Sequence, residues 1–279
     1  MHYNARDWMP FGAGMDFTSL VATTSSIDRS LLQRLFRGEL LAVRVPGFCT
    51  ERRCQILAER LYERLSTQRA QGGGIYDSDI DSFWSAYGDE TRRNRYFDSA
   101  LPLQRRLRDL SSPYSSPIDV LRLALDEAWP AGACLLSMSG RKLPFGITRL
   151  WETGSTALPH QDVLWREIGR DGEAASQVGQ LGVNVYLETS GSGGELELWN
   201  FKVSDIEYER SSNDYRGSYG YPRSMLPEES VVVTPEVGDL ILLDTTRVHA
   251  VRGVTEGRRI TLSGFIGSWG EEQPLRCWS

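Results

Sequence analysis

From residue 131 onward, nearly every apolar segment of the chain is short, alternates with polar residues and is bounded by Gly, Ser or Pro: 145–151, 181–187, 195–199, 231–234, 240–244 and 260–266. A period of two puts successive side chains on opposite faces, so each segment reads as a strand with one face turned inward. Many short strands at regular intervals, separated by turn residues, predict a β-sandwich or barrel.

The first half follows a different period. Asp28 is placed to cap a helix whose apolar residues Leu31, Leu32, Leu35 and Phe36 recur at helical spacing, with Gly38 to end it. A strand is expected at 40–45, closed by Pro46-Gly47, and an amphipathic helix over 51–65 carries Ile56, Leu57, Leu61 and Leu65. Further helices are expected at 101–110 and 117–128, while 76–97 shows no clear period and reads as irregular. The chain is thus mainly β with helical additions (α+β). It divides into an irregular arm (1–25), a helix-rich support (26–130) and a β core (131–270), all one unit over 1–279. Residues 200–227, polar and rich in Tyr, form an insertion too long for a simple turn; a lid and a solvated insertion are both open readings.

Composition narrows the function classes. With 8 Trp, 11 Tyr and 9 Phe the chain has enough aromatic area to fold, and no run approaches the roughly 18 apolar residues of a membrane span. Its first residues lack the pattern of an export signal, so a soluble, cytoplasmic protein is expected. A net charge of −6 argues against nucleic acid and for a small-molecule partner, and leaves oligomeric state open. The cysteines, Cys49, Cys54, Cys134 and Cys277, are too scattered for a zinc ribbon and are expected to be reduced.

The chain has 3 His. His160 and Asp162, two apart, share one face of a strand, and His249 follows the strand at 240–244. Two imidazoles and one carboxylate on one face of an octahedron leave three positions open, the arrangement of non-haem Fe(II) sites; the alternative is a pair of hydrogen-bonded core histidines. Ten residues beyond His249, Arg259, Thr261, Ser263 and Phe265 share a strand face, whereas Arg258 points the other way as surface charge. A core-facing Arg needs an anionic partner, and a carboxylate suits its planar fork.

Together, His160-Gln161-Asp162, His249 and Arg259-Ile260-Thr261 resemble the 2-oxoglutarate and Fe(II)-dependent oxygenases, over roughly residues 145 to 267. The resemblance implies a double-stranded β-helix, a cupin-like jelly roll, with Fe(II), 2-oxoglutarate as co-substrate and O2. It implies that His160, Asp162 and His249 bind the metal, and that Arg259 with Thr261 anchors the far carboxylate of 2-oxoglutarate. Tyr186, Asn184 and Leu196 would line the co-substrate. Halogenating members have Gly or Ala where this chain has Asp162, so hydroxylation with release of succinate and CO2 is favoured. Desaturation, epimerisation and cyclisation share its first radical and stay open. Arg149 and Trp151, on one strand face, and Trp165 are candidate substrate contacts, with Arg149 suited to the carboxylate of a free or N-acylated amino acid or a related natural product. Rival readings are a non-redox cupin-type binding protein and a modifier of macromolecules.

Overall fold

Asp28, in extended backbone, accepts a hydrogen bond from the Leu31 amide and starts helix α1 (Arg29–Phe36), which buries Leu32 and Leu35. Gly38 beyond it has φ +70°, a conformation that favours glycine. Helix α2 (Glu51–Gln68) runs three residues past its expected end. Helices α3 (Glu90–Asp98), α4 (Ala100–Ser111) and α5 (Pro117–Ala128) follow, α5 opening on the proline that its first turn tolerates. The structure, a computed structural model, describes residues 17–68, 77, 78, 80, 81, 83, 89–169, 172–208 and 220–279. Most of the arm, the Gly72-Gly73-Gly74 break and residues 209–219 of the insertion, with Tyr215 and Tyr219, lie outside the described residues.

Helix α3 corrects the reading of 76–97 as irregular. Asp89 accepts from the Arg92 amide and caps it, but among its nine residues only Tyr96 is buried, so no apolar stripe announces it. Residues 21–23 of the arm are likewise ordered, as a strand.

The strands of the first half are β1 (Val21–Thr23), β2 (Ala42–Val45), β3 (Asp77–Ser78), β4 (Ala133–Leu135), β5 (Ser137–Met138) and β6 (Arg141–Lys142). The rest are β7 (Ile147–Glu152), β8 (Ala157–His160), β9 (Gly179–Glu188), β10 (Ser192–Gly193), β11 (Leu196–Leu198), β12 (Val231–Val233), β13 (Leu240–Asp244), β14 (His249–Val251), β15 (Val254–Glu256), β16 (Arg258–Ser268) and β17 (Leu275–Trp278). A nine-stranded sheet has the order β1-β2-β13-β9-β16-β17-β4, with β7 also paired to β16 and β3; a four-stranded sheet has the order β12-β11-β14-β8. From β7 to β16 the chain passes back and forth between these two sheets, winding the double-stranded β-helix that the motifs implied.

The outer face of the large sheet is covered by helices. Leu150, Val183, Val185, Ile260 and Leu262 pack there against Leu32, Leu57, Leu61 and Leu121 in one apolar cluster. Each such side chain contributes roughly 1.5–3 kcal/mol by leaving water. Between the sheets, Tyr186, Ile241 and Leu243 meet Leu196, Leu198, Val231 and Val233 of the small sheet. The described ends of the 200–227 insertion pack on the back of the small sheet, where Val203, Tyr208 and Tyr221 join Trp199, Val248 and Ala250. All four cysteines are free. No helix among the described residues is long and apolar enough to cross a membrane.

Candidate functional site

His160 ends β8 and His249 begins β14, and the two are register partners across the small sheet. His249 was expected at the end of the strand 240–244. Instead that strand, β13, belongs to the large sheet, and residues 245–248 carry the chain across before β14 starts. The effect is to bring the rings within 4.3 Å, centroid to centroid. Asp162 lies just past β8, with its Oδ2 3.7 Å from His160 Nε2 and 3.4 Å from His249 Nε2. All three ligand atoms fall within 4.8 Å of one another, close enough for one metal ion.

Second contacts fix the protonation. His160 Nδ1 is 2.6 Å from the Leu158 carbonyl oxygen and His249 Nδ1 is 3.0 Å from that of Arg247, so each Nδ1–H donates and each Nε2 keeps its lone pair for the cluster. Burial, followed by the neighbouring His249 imidazole, pushes His160 down to about 4, which leaves it neutral. Burial pushes the Asp162 carboxyl up, but the two histidines overcome it and hold the group well below the usual carboxylate range. Two imidazoles and one carboxylate are a donor set that fits Fe(II) and leaves coordination positions free.

The strap carrying His160 and Asp162 is tied down by residues the sequence reading did not single out. Gln161 points away from the cluster, donates to the Thr246 carbonyl (2.6 Å) and accepts from Tyr221 (2.9 Å) and Arg166 (3.1 Å). Thr246 belongs to the crossing that delivers His249, so one amide links the two ligand-bearing segments. The Asp162 amide donates to the Thr245 carbonyl at 3.0 Å, and Gln180 Nε2 donates to the Asp162 carbonyl at 3.1 Å. A glutamine between two ligands carries no signal in the sequence, because two of its partners, Tyr221 and Thr246, lie 60 and 85 residues away.

Across the barrel, Arg259 is 2% exposed. Its Nη1 donates to the Gly194 carbonyl at 2.8 Å and its Nη2 to the Tyr186 hydroxyl at 3.4 Å. Its carbon lies 4.8 Å from the Tyr186 ring centroid and 5.2 Å from that of Trp151. The buried Nε has no partner, and no carboxylate among the described residues pairs with this guanidinium. Burial lowers the Arg259 pKa. A buried cation with aromatic walls and a spare donor is a cradle for an anion. Gly194 has φ +78°, and a Cβ there would meet Ser190 Oγ at 2.7 Å, so the turn presenting this carbonyl requires glycine.

Thr261 is fully buried on the same face, within 3.0 Å of Ser263, whose hydroxyl donates to Asn184 Oδ1 at 2.7 Å. With the Ser263 proton so engaged, Thr261 donates to Ser263 and presents lone pairs, not a proton, to the cavity. Leu196 packs with Tyr186 between the sheets. Arg149 and Trp151 face Thr261 and Arg259 in register on β7. Arg149 lies within electrostatic reach of His160, Asp162 and Arg259. Trp165 lies elsewhere. It sits on the short helix α6 (Leu164–Ile168) and lines a separate cleft of about 420 Å³ with Phe36, Val163, Arg166 and Val203. Arg258, expected as plain surface charge, is half-buried, bonded to both Glu188 oxygens at 2.8 Å and stacked 3.8 Å from the Tyr62 ring centroid.

A family model described as the carrier-protein-independent halogenase WelO5 matches residues 172–279, a span that holds His249 and Arg259 but not His160 or Asp162. Over 128 residues, 44% of this chain, the sequence is 34% identical to the L-isoleucine 3(1)-dioxygenase of Pantoea ananatis (strain AJ13355), and the alignment spans 43% of that relative's length. In three dimensions the chain is similar to an N-substituted L-amino acid dioxygenase from Burkholderia ambifaria AMMD in complex with alpha-KG (TM-score 0.54, 14% identity, 90% of this chain and 91% of that one). A second structure of that dioxygenase gives a TM-score of 0.53 at 13% identity, covering 91% and 92%. The likeness to these structures establishes the fold. The chain thus shares the fold of an N-substituted L-amino acid dioxygenase, is similar over part of its length to a halogenase family and to an L-isoleucine dioxygenase, and carries a metal-ready cluster of two histidines and one aspartate.

Proposed function

We propose that this chain is an Fe(II)- and 2-oxoglutarate-dependent dioxygenase that hydroxylates an aliphatic C–H bond of a small molecule, in the class of amino acids or natural-product intermediates. One pair of observations carries the reading: three metal donors converge at the end of the small sheet, and across the barrel lies a buried guanidinium with no counter-ion among the described residues. His160, Asp162 and His249 would hold the iron. Arg259 would grip the distal carboxylate of 2-oxoglutarate, its Nε and the Tyr186 hydroxyl offering donors while Leu196 and Trp151 keep the site dry. Thr261 and Asn184 belong to the wall of that site through Ser263. Arg149, beside the cluster, suits a substrate carboxylate. When bound, iron with 2-oxoglutarate and O2 supplies the oxidising power, yielding succinate, CO2 and one oxygen atom for the substrate.

The halogenase named by the family model raises the question of outcome. Asp162 supports hydroxylation, because its carboxylate fills the third protein position that a halide would need. The two dioxygenases similar to this chain are named for L-isoleucine and for N-substituted L-amino acids, which supports an amino acid as substrate.

The test is anaerobic titration with Fe(II) and 2-oxoglutarate, followed by aerobic incubation with a panel of free and N-acylated amino acids. The expected result is a visible charge-transfer band on loading, then succinate release and a mass gain of one oxygen atom in one product. Iron binding with no succinate from any panel member would favour a non-redox cupin-type binding protein instead.

A further inference from the structure

The 200–227 insertion touches both segments that carry metal donors, and it does so with opposite ends. Where the chain enters it, the Trp199 amide donates to the Val248 carbonyl at 3.0 Å and the Val248 amide to the Phe201 carbonyl at 2.9 Å, beside His249. Lys202 Nζ donates to Thr246 Oγ1 on the same crossing. The returning end lies along the His160 strap. There the Tyr221 amide donates to the Pro159 carbonyl at 2.7 Å, and a Cβ on Gly220 would meet that of Leu158 at 2.4 Å, an approach that requires glycine. Leu158 in turn supplies the carbonyl that orients the His160 ring.

One side chain joins the two ends. Arg166, on helix α6, has a side chain only 5% exposed. Its Nη2 donates to the Val203 carbonyl at 2.9 Å and to Asp205 Oδ1 at 3.2 Å, both at the entering end. Its Nη1 donates to the Tyr221 hydroxyl at 3.4 Å, at the returning end, and to Gln161 Oε1 at 3.1 Å, between two metal donors. Its carbon also lies 4.2 Å from the Tyr208 ring centroid. A planar fork holds several acceptors at fixed angles, which a single ammonium on a flexible stem does not. Gln161 passes the constraint on, since its Nε2 donates at 2.6 Å to the Thr246 carbonyl of the His249 crossing. None of these side chains is itself one of the three metal donors.

We propose that Arg166 is a positioning residue for the metal centre: through Gln161 and Tyr221 it clamps the His160–Asp162 strap to the His249 crossing, with the two ends of the insertion as its supports. The inference rests on the oxygenase reading above and deepens it. The described ends of the insertion then serve as a brace for the metal donors. Because a coupling between two events is reciprocal, a metal ion that the clamp helps to hold must steady the clamp by the same free energy.

The test titrates Co(II), a spectroscopic stand-in for Fe(II), into the full chain and reads calorimetry and the visible ligand-field bands. Hydrogen exchange at residues 204–208 is measured with and without the metal. Arg166→Met is expected to weaken Co(II) binding about 10- to 100-fold, the range for residues that orient metal ligands, and to shift the bands. It should also abolish the slowing of exchange that Co(II) causes at 204–208 in the wild type. Arg166→Lys keeps the charge without the fork and should regain only part of the loss. Tyr221→Phe, which removes one hydroxyl, should weaken Co(II) by about 2- to 10-fold. Arg166→Met combined with Gln161→Ala should cost no more than the larger single change, because both cut the same link. If Arg166→Met does not fold, Tyr221→Phe and Gln161→Ala carry the test. Wild-type Co(II) affinity and bands in the variants, additive losses in the double variant, or exchange at 204–208 indifferent to metal would each overturn the proposal and leave the metal site standing. Wild-type protein that bound no Co(II) would bring down the oxygenase reading as well.

Discussion

The two faces of the nine-stranded sheet are made by consecutive residues of the same strands, yet they obey opposite rules. On β16, Ile260 and Leu262 look outward into an apolar layer under the helices, while Arg259, Thr261 and Ser263 look inward. On β7, Leu150 looks out between Arg149 and Trp151. The outer face is stable because burying it releases water. The inner face packs apolar side chains at β13 but at β16 buries a guanidinium, at a cost that the proposed ligand would offset. The difference separates stability from chemistry along a single strand, one residue apart.

Exchanging residues across that divide should break it most visibly at Asp162. Asp162→Ala is expected to weaken metal binding and succinate formation by more than about 100-fold, beyond what loss of a mere supporting contact costs. The melting temperature of the metal-free protein should scarcely move. Arg259→Ala comes next. Removing one side of a buried charge pair costs about 2–5 kcal/mol, so titration should show 2-oxoglutarate affinity lower by at least about 30-fold, with metal affinity kept. Leu262→Ala, three residues along on the outer face, should do the reverse. Chemical denaturation is expected to show a loss of about 2–5 kcal/mol, with ligand affinity of the folded fraction unchanged. If Leu262→Ala altered co-substrate affinity as strongly as stability, the separation of faces would be refuted.

The smallest effect sharpens the comparison through acid. In the metal-free protein, burial and the neighbouring His249 imidazole push His160 down to about 4, whereas in the unfolded chain it takes its proton near 6.5. The unfolded state therefore binds more protons in that window, and stability should fall as pH drops from about 6.5 to 4, by at most about 1.4 kcal/mol per unit. Glu167, its pKa raised well above the usual carboxylate value by burial and then by the Asp162 charge, opposes this slope, because its contribution is lost as pH rises through the folded value. Glu167→Gln should thus steepen the acid limb measured by denaturation. Glu197 adds to the lower end of the same limb: burial pushes it up, but hydrogen bonds from Arg223, Arg252 and Ser230 hold it at about 2 against 4.5 in the unfolded chain, so its contribution is lost as pH falls from about 4.5 toward 2.

Much of this was legible in the sequence, for reasons that can be named. Alternation reports faces, so the inward placement of Arg149, Trp151, Arg259 and Thr261 followed from counting by two; Asp162 instead reaches His160 from just beyond the end of β8. Helix α1 was visible because Asp28 and Gly38 bracket an apolar stripe. What stayed hidden depends on partners far along the chain. Helix α3 buries one residue and shows no stripe. Trp165 was assigned to the pocket by its nearness to Asp162 in sequence, but the turn of α6 aims it at another cleft. The crossing before His249 cannot be told from a continued strand, because Thr245 and Val248 are as buried as strand residues. The engagement of the Thr261 proton appears only once Ser263 and Asn184, 79 residues apart, are seen side by side.

The carbonyl at Gly194 has a consequence beyond holding one hydrogen bond. A long arginine side chain ordinarily loses rotamer freedom when it docks a ligand, at roughly 0.5–1.5 kcal/mol of affinity. Here the guanidinium is immobilised beforehand by that oxygen and by two flanking rings. Its disorder was surrendered when the polypeptide folded, so the dicarboxylate proposed to dock there would meet a rigid receptor and keep nearly the whole of its attraction as net affinity.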